Sequence, residues 1–379
     1  MGHKLHETGE QRKRVLLVSL CENKKEGLNN IDIGRELLGL ADTLELEIAG
    51  HEIVHLRERQ PKFGIGSGKA EELSEKAAAV NADCLVFDWD PTPSQQRNWE
   101  NLTGKPVLDR QELIIQIFAK RAATREAELQ VQLAELSYRL PRLTHKYIDL
   151  SRQRGGRYGT KGSGETKLET DRRQIEQRIH KLEKEIEEVA KQRQVQRRQR
   201  ERHAYFGGQR LPVCAIVGYT NAGKSSLLNA LTGASVLVED KLFATLDAVT
   251  RRFELAPGKT VLLTDTVGFI RKLPHSLIKA FRSTLEEAAH SDLLLHILDA
   301  SDPNIEECYQ TTITVLSELG AGEIPVITVL NKIDMLEDWH LTQEGSFLSR
   351  FPQSVSISVK NNIGLDELKN RITEKLINV

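Results

Sequence analysis

The chain has 379 residues, of which 28% are charged and 39% hydrophobic, and its formal net charge is −1. This composition is typical of a globular protein with two or three domains. The apolar runs are too short for a membrane span, and the polar N-terminus excludes a signal peptide. Four widely separated cysteines exclude a disulfide framework and a zinc site, so we expect a cytoplasmic protein, and a monomer.

The first region, residues 1–119, is predicted to be an N-terminal α/β domain with a parallel-type sheet. Strand-like and helix-like stretches alternate along it, which favours such a sheet. The predicted strands are 15–18, 52–56, 84–87 and 106–108, and the predicted helices are 31–44 and 70–80.

A glycine-rich stretch in this region, 63–69, resembles a phosphate-binding loop but misses the pattern. Phe63 stands where the first glycine is required, and Ala70 replaces the hydroxyl residue. We interpret the stretch as a turn that opens a helix; contact with a nucleotide or RNA is the alternative. His51 and His55 are interpreted as strand residues rather than metal ligands.

The second region, 120–206, is predicted to be a long antiparallel helical hairpin, a coiled coil with a glycine-rich tip loop at 152–164. Two apolar stripes recur there at spacings of three and four residues. The stripes are Leu129, Leu133, Leu136, Leu140 and Leu143, then Ile175, Ile179, Leu182, Ile186 and Val189.

This hairpin is the basic part of the chain. Residues 120–205 contain 22 lysines and arginines against 13 acidic residues, a charge of +9, which leaves −10 on the remainder. Such an asymmetric distribution of charge indicates a polyanionic partner, and we expect that partner to be RNA. The alternative is a hairpin whose charges face solvent and form ion pairs within the helices. The candidate RNA contacts are Arg152, Arg154, Arg157, Tyr158, Lys161, Arg172, Arg173, Arg197 and Arg198.

The third region, 207–379, is predicted to be a doubly wound α/β domain. Residues 218–225 match G-x-x-x-x-G-K-[ST] between a strand-like run and a helix-like run. Loop amides and Lys224 are expected to hold the phosphates, and Ser225 to place a hydroxyl on Mg²⁺. The predicted phosphate contacts are Gly218, Tyr219, Thr220, Asn221, Ala222, Gly223, Lys224, Ser225 and Ser226.

Two later segments complete the predicted phosphate and metal site. Asp265, at the end of an apolar strand, is expected to hold Mg²⁺ through water, and the Gly268 amide to reach the γ-phosphate. Between the two motifs, Phe243 and Thr245 are also predicted contacts, Thr245 as a second hydroxyl on Mg²⁺. The residues predicted to act in hydrolysis are Lys224, Asn221, Thr245 and Gly268.

Guanine specificity is predicted from Asn331, Lys332 and Asp334, which form N-K-x-D after a buried strand. The Asp334 carboxylate can accept two hydrogen bonds from guanine that adenine cannot donate. The Lys332 stem can cover the base plane. Further contacts are expected from the turn Ser358, Val359 and Lys360.

With these motifs in order, the chain resembles the HflX family of translation-factor-related GTPases. The glycine-rich segment 155–173, the segment 243–247 and the segment 281–287 carry the resemblance, which covers nearly the whole chain. It implies a ribosome-associated GTPase that binds the large subunit and splits or rescues stalled ribosomes. The signature's usual proline is Ser163 here, and the extra C-terminal domain of some relatives is not expected.

One residue bears on the rate of hydrolysis. Phe269 follows D-x-x-G where small GTPases commonly carry a glutamine, so intrinsic hydrolysis is expected to be slow and stimulated by the ribosome. Asn221 resembles the asparagine with which some relatives hold K⁺, which predicts potassium stimulation. The alternatives are a ribosome-assembly GTPase and a non-catalytic, nucleotide-stabilised RNA-binding module. The sequence leaves open whether the first region binds ATP.

Overall fold

The structure is a computed structural model that describes residues 12–22, 34–152, 163–203, 205–206, 209–234, 241–271, 277, 287–336 and 351–377. The chain forms two compact units. The first comprises Met1–Ile117 and Glu135–Ile179, and the second comprises Phe118–Ala134 and His180–Val379. Each unit has its own hydrophobic core. In the described part of the chain, no helix is both long and apolar enough to cross a membrane.

The first unit contains a four-stranded sheet in which all paired neighbours are parallel, as predicted. Its spatial order is β2-β1-β3-β4. The inner strands β1 and β3 are largely apolar, because helices cover both faces of such a sheet. The strands are β1 Arg14–Glu22, β2 Glu47–Leu56, β3 Cys84–Phe87 and β4 Val107–Asp109.

Four helices begin in the described part of the first region, residues 12–22 and 34–119, which is two more than predicted. They are α1 Arg35–Thr43, α2 Ser67–Ala79, α3 Pro93–Thr103 and α4 Arg110–Arg121. Thr92 caps α3 with a reciprocal capping box, a signal that the sequence offered and that our prediction missed. Gly66 is the N-cap of α2, and Phe63 and Ile65 are buried beside it, so the stretch 63–69 forms a structural turn.

Two long helices follow, α5 Arg125–Arg152 and α6 Ser163–His203. Of the predicted stripes, Leu129 and Leu182 are fully buried and the others are half-buried where described. Most of the predicted tip loop, 153–162, lies outside the described residues. Residues 125–134 of α5 and 180–203 of α6 belong to the second unit, and the rest of both helices belongs to the first. The hairpin therefore stays a prediction for the whole segment.

The second unit contains a six-stranded sheet of order β12-β11-β10-β7-β9-β8. Only β8 runs antiparallel to its neighbour, and this edge strand was not predicted. The fold-class prediction is confirmed: an α/β domain, a helical region and a P-loop domain. The elements are β7 Val213–Gly218, α7 Lys224–Thr232, β8 Val249–Ala256, β9 Lys259–Asp265, β10 Leu293–Asp299, α8 Ile305–Glu318, β11 Val326–Asn331, a 3₁₀ turn Ile333–Met335, β12 Val355–Ser356 and α9 Leu365–Ile377, preceded by a small hairpin of β5 Tyr205–Phe206 and β6 Gln209–Arg210.

The strand order of this sheet defines where a ligand can bind. From β7 the chain continues to β8 and β9, both on one side of β7, and then crosses to β10 on the other side. Open α/β sheets bind ligands at the carboxyl ends of the strands where the order reverses in this way. The predicted motifs lie at these ends.

Candidate nucleotide-binding site

A cavity of about 370 Å³ lies at the carboxyl ends of β7, β9 and β11, which is a typical volume for a small-molecule site. The structure brings most of the predicted nucleotide contacts to its walls. These are Thr220, Asn221, Gly223, Lys224, Ser225, Ser226, Phe243, Thr245, Gly268, Asn331, Lys332, Asp334, Val359 and Lys360. Gly218, Tyr219, Ala222, Asp265 and Ser358 do not line the cavity but support the residues that do.

The phosphate loop is shaped by two glycines that tolerate no side chain. Gly218 has φ +145°, and a Cβ there would lie 2.2 Å from the carbonyl oxygen of Ile297. Gly223 has φ +96°, and its Cβ would lie 2.3 Å from Asn331 Nδ2. Gly223 is also the N-cap of α7, so the amides of the first helical turn are directed at the loop. The loop therefore has the form of an anion site.

Lys224 is buried in the first turn of α7, and its Nζ donates a hydrogen bond to the carbonyl of Tyr219 at 2.7 Å. Burial lowers the pKa of Lys224 to about 8, with the Asp265 carboxylate acting in the opposite sense. A buried ammonium group gains most from an anionic partner, because such a partner restores the electrostatic stabilisation that water supplied.

Three oxygen-bearing side chains that the sequence predicted as metal ligands meet at one point. Asp265 Oδ2 accepts hydrogen bonds from Ser225 Oγ at 2.6 Å and from Thr245 Oγ1 at 3.0 Å. The two hydroxyl oxygens lie 2.8 Å apart. The other carboxylate oxygen, Asp265 Oδ1, is buried, and no side chain of the described residues donates a hydrogen bond to it.

This arrangement fits a magnesium site. Mg²⁺ takes oxygen ligands, and the carboxylate has one buried oxygen left over. Burial also raises the pKa of Asp265, while Lys224 and the two hydroxyl donors oppose that change. A cation beside this carboxylate would relieve the cost of burying its charge.

The segment after β9 pairs with the phosphate loop. Thr220 donates its amide to the Phe269 carbonyl at 2.8 Å, and the Phe269 amide donates to the Gly218 carbonyl at 3.1 Å. The Tyr219 hydroxyl accepts the Arg271 amide at 2.7 Å. The Phe269 side chain is 1% exposed. Its ring is therefore part of the core and takes no part in orienting water.

The residues predicted to select the base form a network at the other end of the cavity. Asp334 Oδ1 accepts a hydrogen bond from Ser358 Oγ at 2.6 Å, and Lys332 pairs with Asp299 at 2.8 Å. Asn331 donates from Nδ2 to the Ala222 carbonyl at 2.9 Å and accepts the Val359 amide at 3.2 Å. Asn331 thus ties the phosphate loop to the turn 358–360.

The structure adds residues that the sequence analysis did not name. Lys241, Ala244 and Met335 line the cavity, and Asp299 holds Lys332. Asp299 ends an apolar strand, as Asp265 does, which is the one signal that could have identified it. Ala244 lies inside the segment 243–247 and Met335 directly follows N-K-x-D, whereas Lys241 belongs to no motif.

The predicted RNA contacts are described only in part. Arg154, Arg157, Tyr158 and Lys161 lie outside the described residues. Arg152, Arg197 and Arg198 lie in α5 and α6, where only their backbone is described. Arg172 and Arg173 are exposed on α6, and Arg172 Nε pairs with Glu176 at 2.8 Å. This pair is of the helical i,i+4 type.

Comparison with known families agrees with this site. Residues 213–332 match the family model described as a 50S ribosome-binding GTPase. Residues 33–119 and 121–200 match the N-terminal and middle regions of GTP-binding GTPases. The fold and the cavity thus define a P-loop GTPase of α/β type.

Similarity to individual proteins extends over nearly the whole chain. It is 45% identical to GTPase HflX of Akkermansia muciniphila, covering 98% of this chain and 86% of that protein. The corresponding protein of Caldanaerobacter subterraneus is 46% identical, with 99% and 83% covered. A crystal structure described as SsGBP with GDP superposes with a TM-score of 0.51 at 25% identity, covering 96% and 98%. The chain belongs to the GTPase HflX family, whose activity is GTP hydrolysis and whose class generally uses Mg²⁺.

Proposed function

We propose that this GTPase is a ribosome-associated switch. It binds the large ribosomal subunit through its first region and its basic helical segment, and it promotes the splitting or rescue of stalled ribosomes. The observation that carries the proposal is the +9 charge of residues 120–205, attached to a nucleotide-responsive site in an otherwise acidic chain. The match of residues 213–332 to a family described as 50S ribosome-binding supports the same partner.

In this proposal the helical segment supplies the RNA surface. Arg173 and Arg172 are exposed on α6, and Val195 near its end is 55% exposed. An exposed apolar residue among basic ones indicates a helix end that no core of the described chain covers. Phosphate contacts from such a surface give binding that falls steeply with salt.

GTP hydrolysis is proposed to depend on electrostatic positioning. Lys224 and the amides of the phosphate loop and Gly268 neutralise the charge on the phosphates. Ser225, Thr245 and Asp265 would hold Mg²⁺, which would neutralise part of the phosphate charge when bound. Because Phe269 is buried, none of its atoms can orient the attacking water, and we propose a slow intrinsic rate that the ribosome stimulates.

Asn221 is proposed to hold K⁺ beside the phosphates. It is exposed, lines the cavity and has a left-handed backbone with φ +62°. GTP turnover should therefore be faster in K⁺ than in Na⁺ at equal ionic strength. Asn221→Ala should remove the difference, and equal rates in both salts would contradict this part of the proposal.

The ribosome proposal is tested by sedimentation of ribosomes with the protein and a non-hydrolysable GTP analogue. Co-sedimentation with the large subunit and an increase in free subunits from empty ribosomes are expected. Arg154→Glu with Arg157→Glu should reduce co-sedimentation and leave GDP affinity unchanged. Absence of binding at low salt would reject the proposal.

The same assay separates the two alternatives. A ribosome-assembly GTPase would prefer immature particles and would release no subunits from mature ribosomes. A non-catalytic module would show no GTP turnover with or without ribosomal subunits.

A further inference from the structure

The segment that carries Thr245 also contacts two residues that do not line the cavity, Phe118 and Thr124. Phe243 adopts φ +56°, a left-handed conformation that bulky side chains rarely take, and its side chain is 2% exposed. Its ring packs edge-to-face on Phe118 in α4, with the centroids 4.7 Å apart and the planes at 78°. A strained backbone conformation of this kind persists only where neighbouring residues stabilise it, and the contact with the Phe118 ring is one such stabilising interaction.

A second attachment lies on the other side of Thr245. Thr124 Oγ1 donates a hydrogen bond to Asp247 Oδ1 at 2.7 Å. The same oxygen accepts the amide of Ala127 at 3.2 Å, so Thr124 is also the N-cap of α5. The hydroxyl proton is thus directed to Asp247 and the oxygen lone pair to the helix. One side chain links the cavity segment to the start of α5.

These two attachments bracket the predicted metal ligand. Phe243 precedes Thr245 by two residues and Asp247 follows it by two, while Thr245 itself bonds Asp265 at 3.0 Å. We propose that Phe118 and Thr124 are positioning residues for Thr245, which couple the triphosphate-bound state of the site to the start of α5. The inference rests on the proposed role of Thr245 in binding GTP with Mg²⁺.

The start of α5 is in turn joined to α6. Glu126, in the first turn of α5 and 4% exposed, pairs with Arg193 at 2.9 Å. Arg125 pairs with Glu185 at 3.3 Å. A change in the conformation of the segment 243–247 would therefore alter the position of the start of α5 and, through these ion pairs, of the part of α6 that contains Glu185 and Arg193. Because coupling is reciprocal, a partner that holds these helices would also change the affinity for GTP.

The test compares the affinities for GDP and for a non-hydrolysable GTP analogue, both with Mg²⁺, by calorimetry. Thr124→Val and Asp247→Ala should each weaken analogue binding about three- to tenfold, the usual effect of one lost hydrogen bond. GDP affinity should change less than about twofold, because Thr245 is proposed to act only with the triphosphate. The double variant should be no weaker than either single variant, since both remove the same bond. Phe118→Leu should also lower analogue affinity selectively.

Matched variants separate the contact from the helix cap. Thr124→Asp keeps a good N-cap but faces Asp247 with a like charge, so it should lose as much analogue affinity as Thr124→Val. Thr124→Ser retains both hydrogen bonds and should bind the GTP analogue with the affinity of the wild type. Thr92→Val, which removes the cap of α3 in the first unit, controls for a general loss of stability.

The outcomes distinguish the inference from the proposed function. If Thr245→Ala weakens analogue binding and the Thr124 and Asp247 variants do not, the inference is wrong and the proposed role of Thr245 stands. If Thr245→Ala has no effect, the proposed role itself fails. If the variants lose affinity for GDP and for the analogue equally, Thr124 has a merely structural role and the proposed coupling is wrong.

Discussion

One oxygen of the Asp334 carboxylate accepts a hydrogen bond from Ser358, which holds the side chain at the edge of the cavity. Guanine presents two N–H donors that such a carboxylate can accept, whereas adenine would leave the charge without donors. Asp299 holds Lys332 beside the same end of the cavity. We therefore propose that selection of the base depends on a few side chains at strand ends, which hydrogen bonds and ion pairs hold in place.

Replacing Asp334 by asparagine should change which base binds. Asp334→Asn loses a charged acceptor, so GDP affinity should fall roughly 10- to 100-fold. Xanthine carries a carbonyl where guanine has its amino group, and the asparagine amide can donate to it, so affinity for xanthosine diphosphate should rise. Calorimetry with both nucleotides checks this. Unchanged GDP affinity would remove Asp334 from the site.

His296 is a residue that the sequence analysis did not consider. It lies in β10, 0% exposed, with neither ring nitrogen hydrogen-bonded among the described residues, and its ring stacks on Tyr309 at 5.1 Å. Burial, and secondarily the charge of Lys224, lowers the pKa of His296 to about 3. The imidazole is therefore neutral in the folded protein throughout the physiological range.

This pKa predicts a loss of stability in mild acid. The unfolded chain binds a proton at His296 below about pH 6.5, and the folded chain does not until about pH 3. Stability is therefore lost as the pH falls from 6.5 towards 3, by about 1.4 kcal/mol per pH unit at most. Urea unfolding at pH 7.5 and 5.5 should show a larger loss of stability in the wild type than in His296→Leu, since His51, whose pKa burial also lowers, contributes to both proteins. Parallel pH dependences would contradict the assignment.

At the scale of elements, the site depends on the pairing of the phosphate loop with the segment after β9. Gly268 allows this approach, because a Cβ there would lie 2.8 Å from Thr220 Cα and 2.9 Å from Lys224 Nζ. Backbone cannot yield to such a contact without breaking the pairing of Thr220 with Phe269.

Gly268→Ala should therefore lower both stability and nucleotide affinity. We expect a loss of about 1–3 kcal/mol in the free energy of unfolding, the usual cost of overpacking, and weaker GDP binding. Gly322→Ala is the matched control, since a Cβ there meets nothing within 4 Å. Denaturant unfolding and calorimetry of both variants check the prediction; equal behaviour of the two would reject it.

Element prediction from the sequence succeeded where apolar runs were continuous and failed at amphipathic or short elements. The buried strand β3 was predicted with its observed bounds, Cys84–Phe87, because continuous burial leaves a continuous apolar run. Strand β8 was missed because it is an edge strand with exposed Arg251 and Arg252. Helix α4 was missed because it follows β4 without an intervening loop.

For the whole molecule, the division into two units makes a prediction about nucleotide-dependent stability. The described cavity belongs to the second unit alone. GDP at about 100 times its dissociation constant should stabilise that unit by about 2.7 kcal/mol. Calorimetric scans should show an unfolding transition that shifts with GDP and another that does not. A single transition that shifts as a whole would show that the units unfold together.

The sequence by itself determined the class of this protein, its fold class and most residues of the nucleotide site. The phosphate loop, the D-x-x-G segment and N-K-x-D are local patterns, and each sits beside an apolar strand whose end must lie at one edge of the sheet. The spacing of polar residues after buried strands is therefore enough to place them in one cavity. No information beyond the residues of these short segments and of the strands before them was needed to predict this cavity.

The tertiary structure alone decided which distant residues support that cavity. Asn331 bonds Ala222 across 109 residues, and Thr124 bonds Asp247 across 123. It also divided the helical region between the two units, near Ala134 and Ile179. Local periodicity carries no information on such contacts, because a helical stripe records that a face is covered and not which partner covers it.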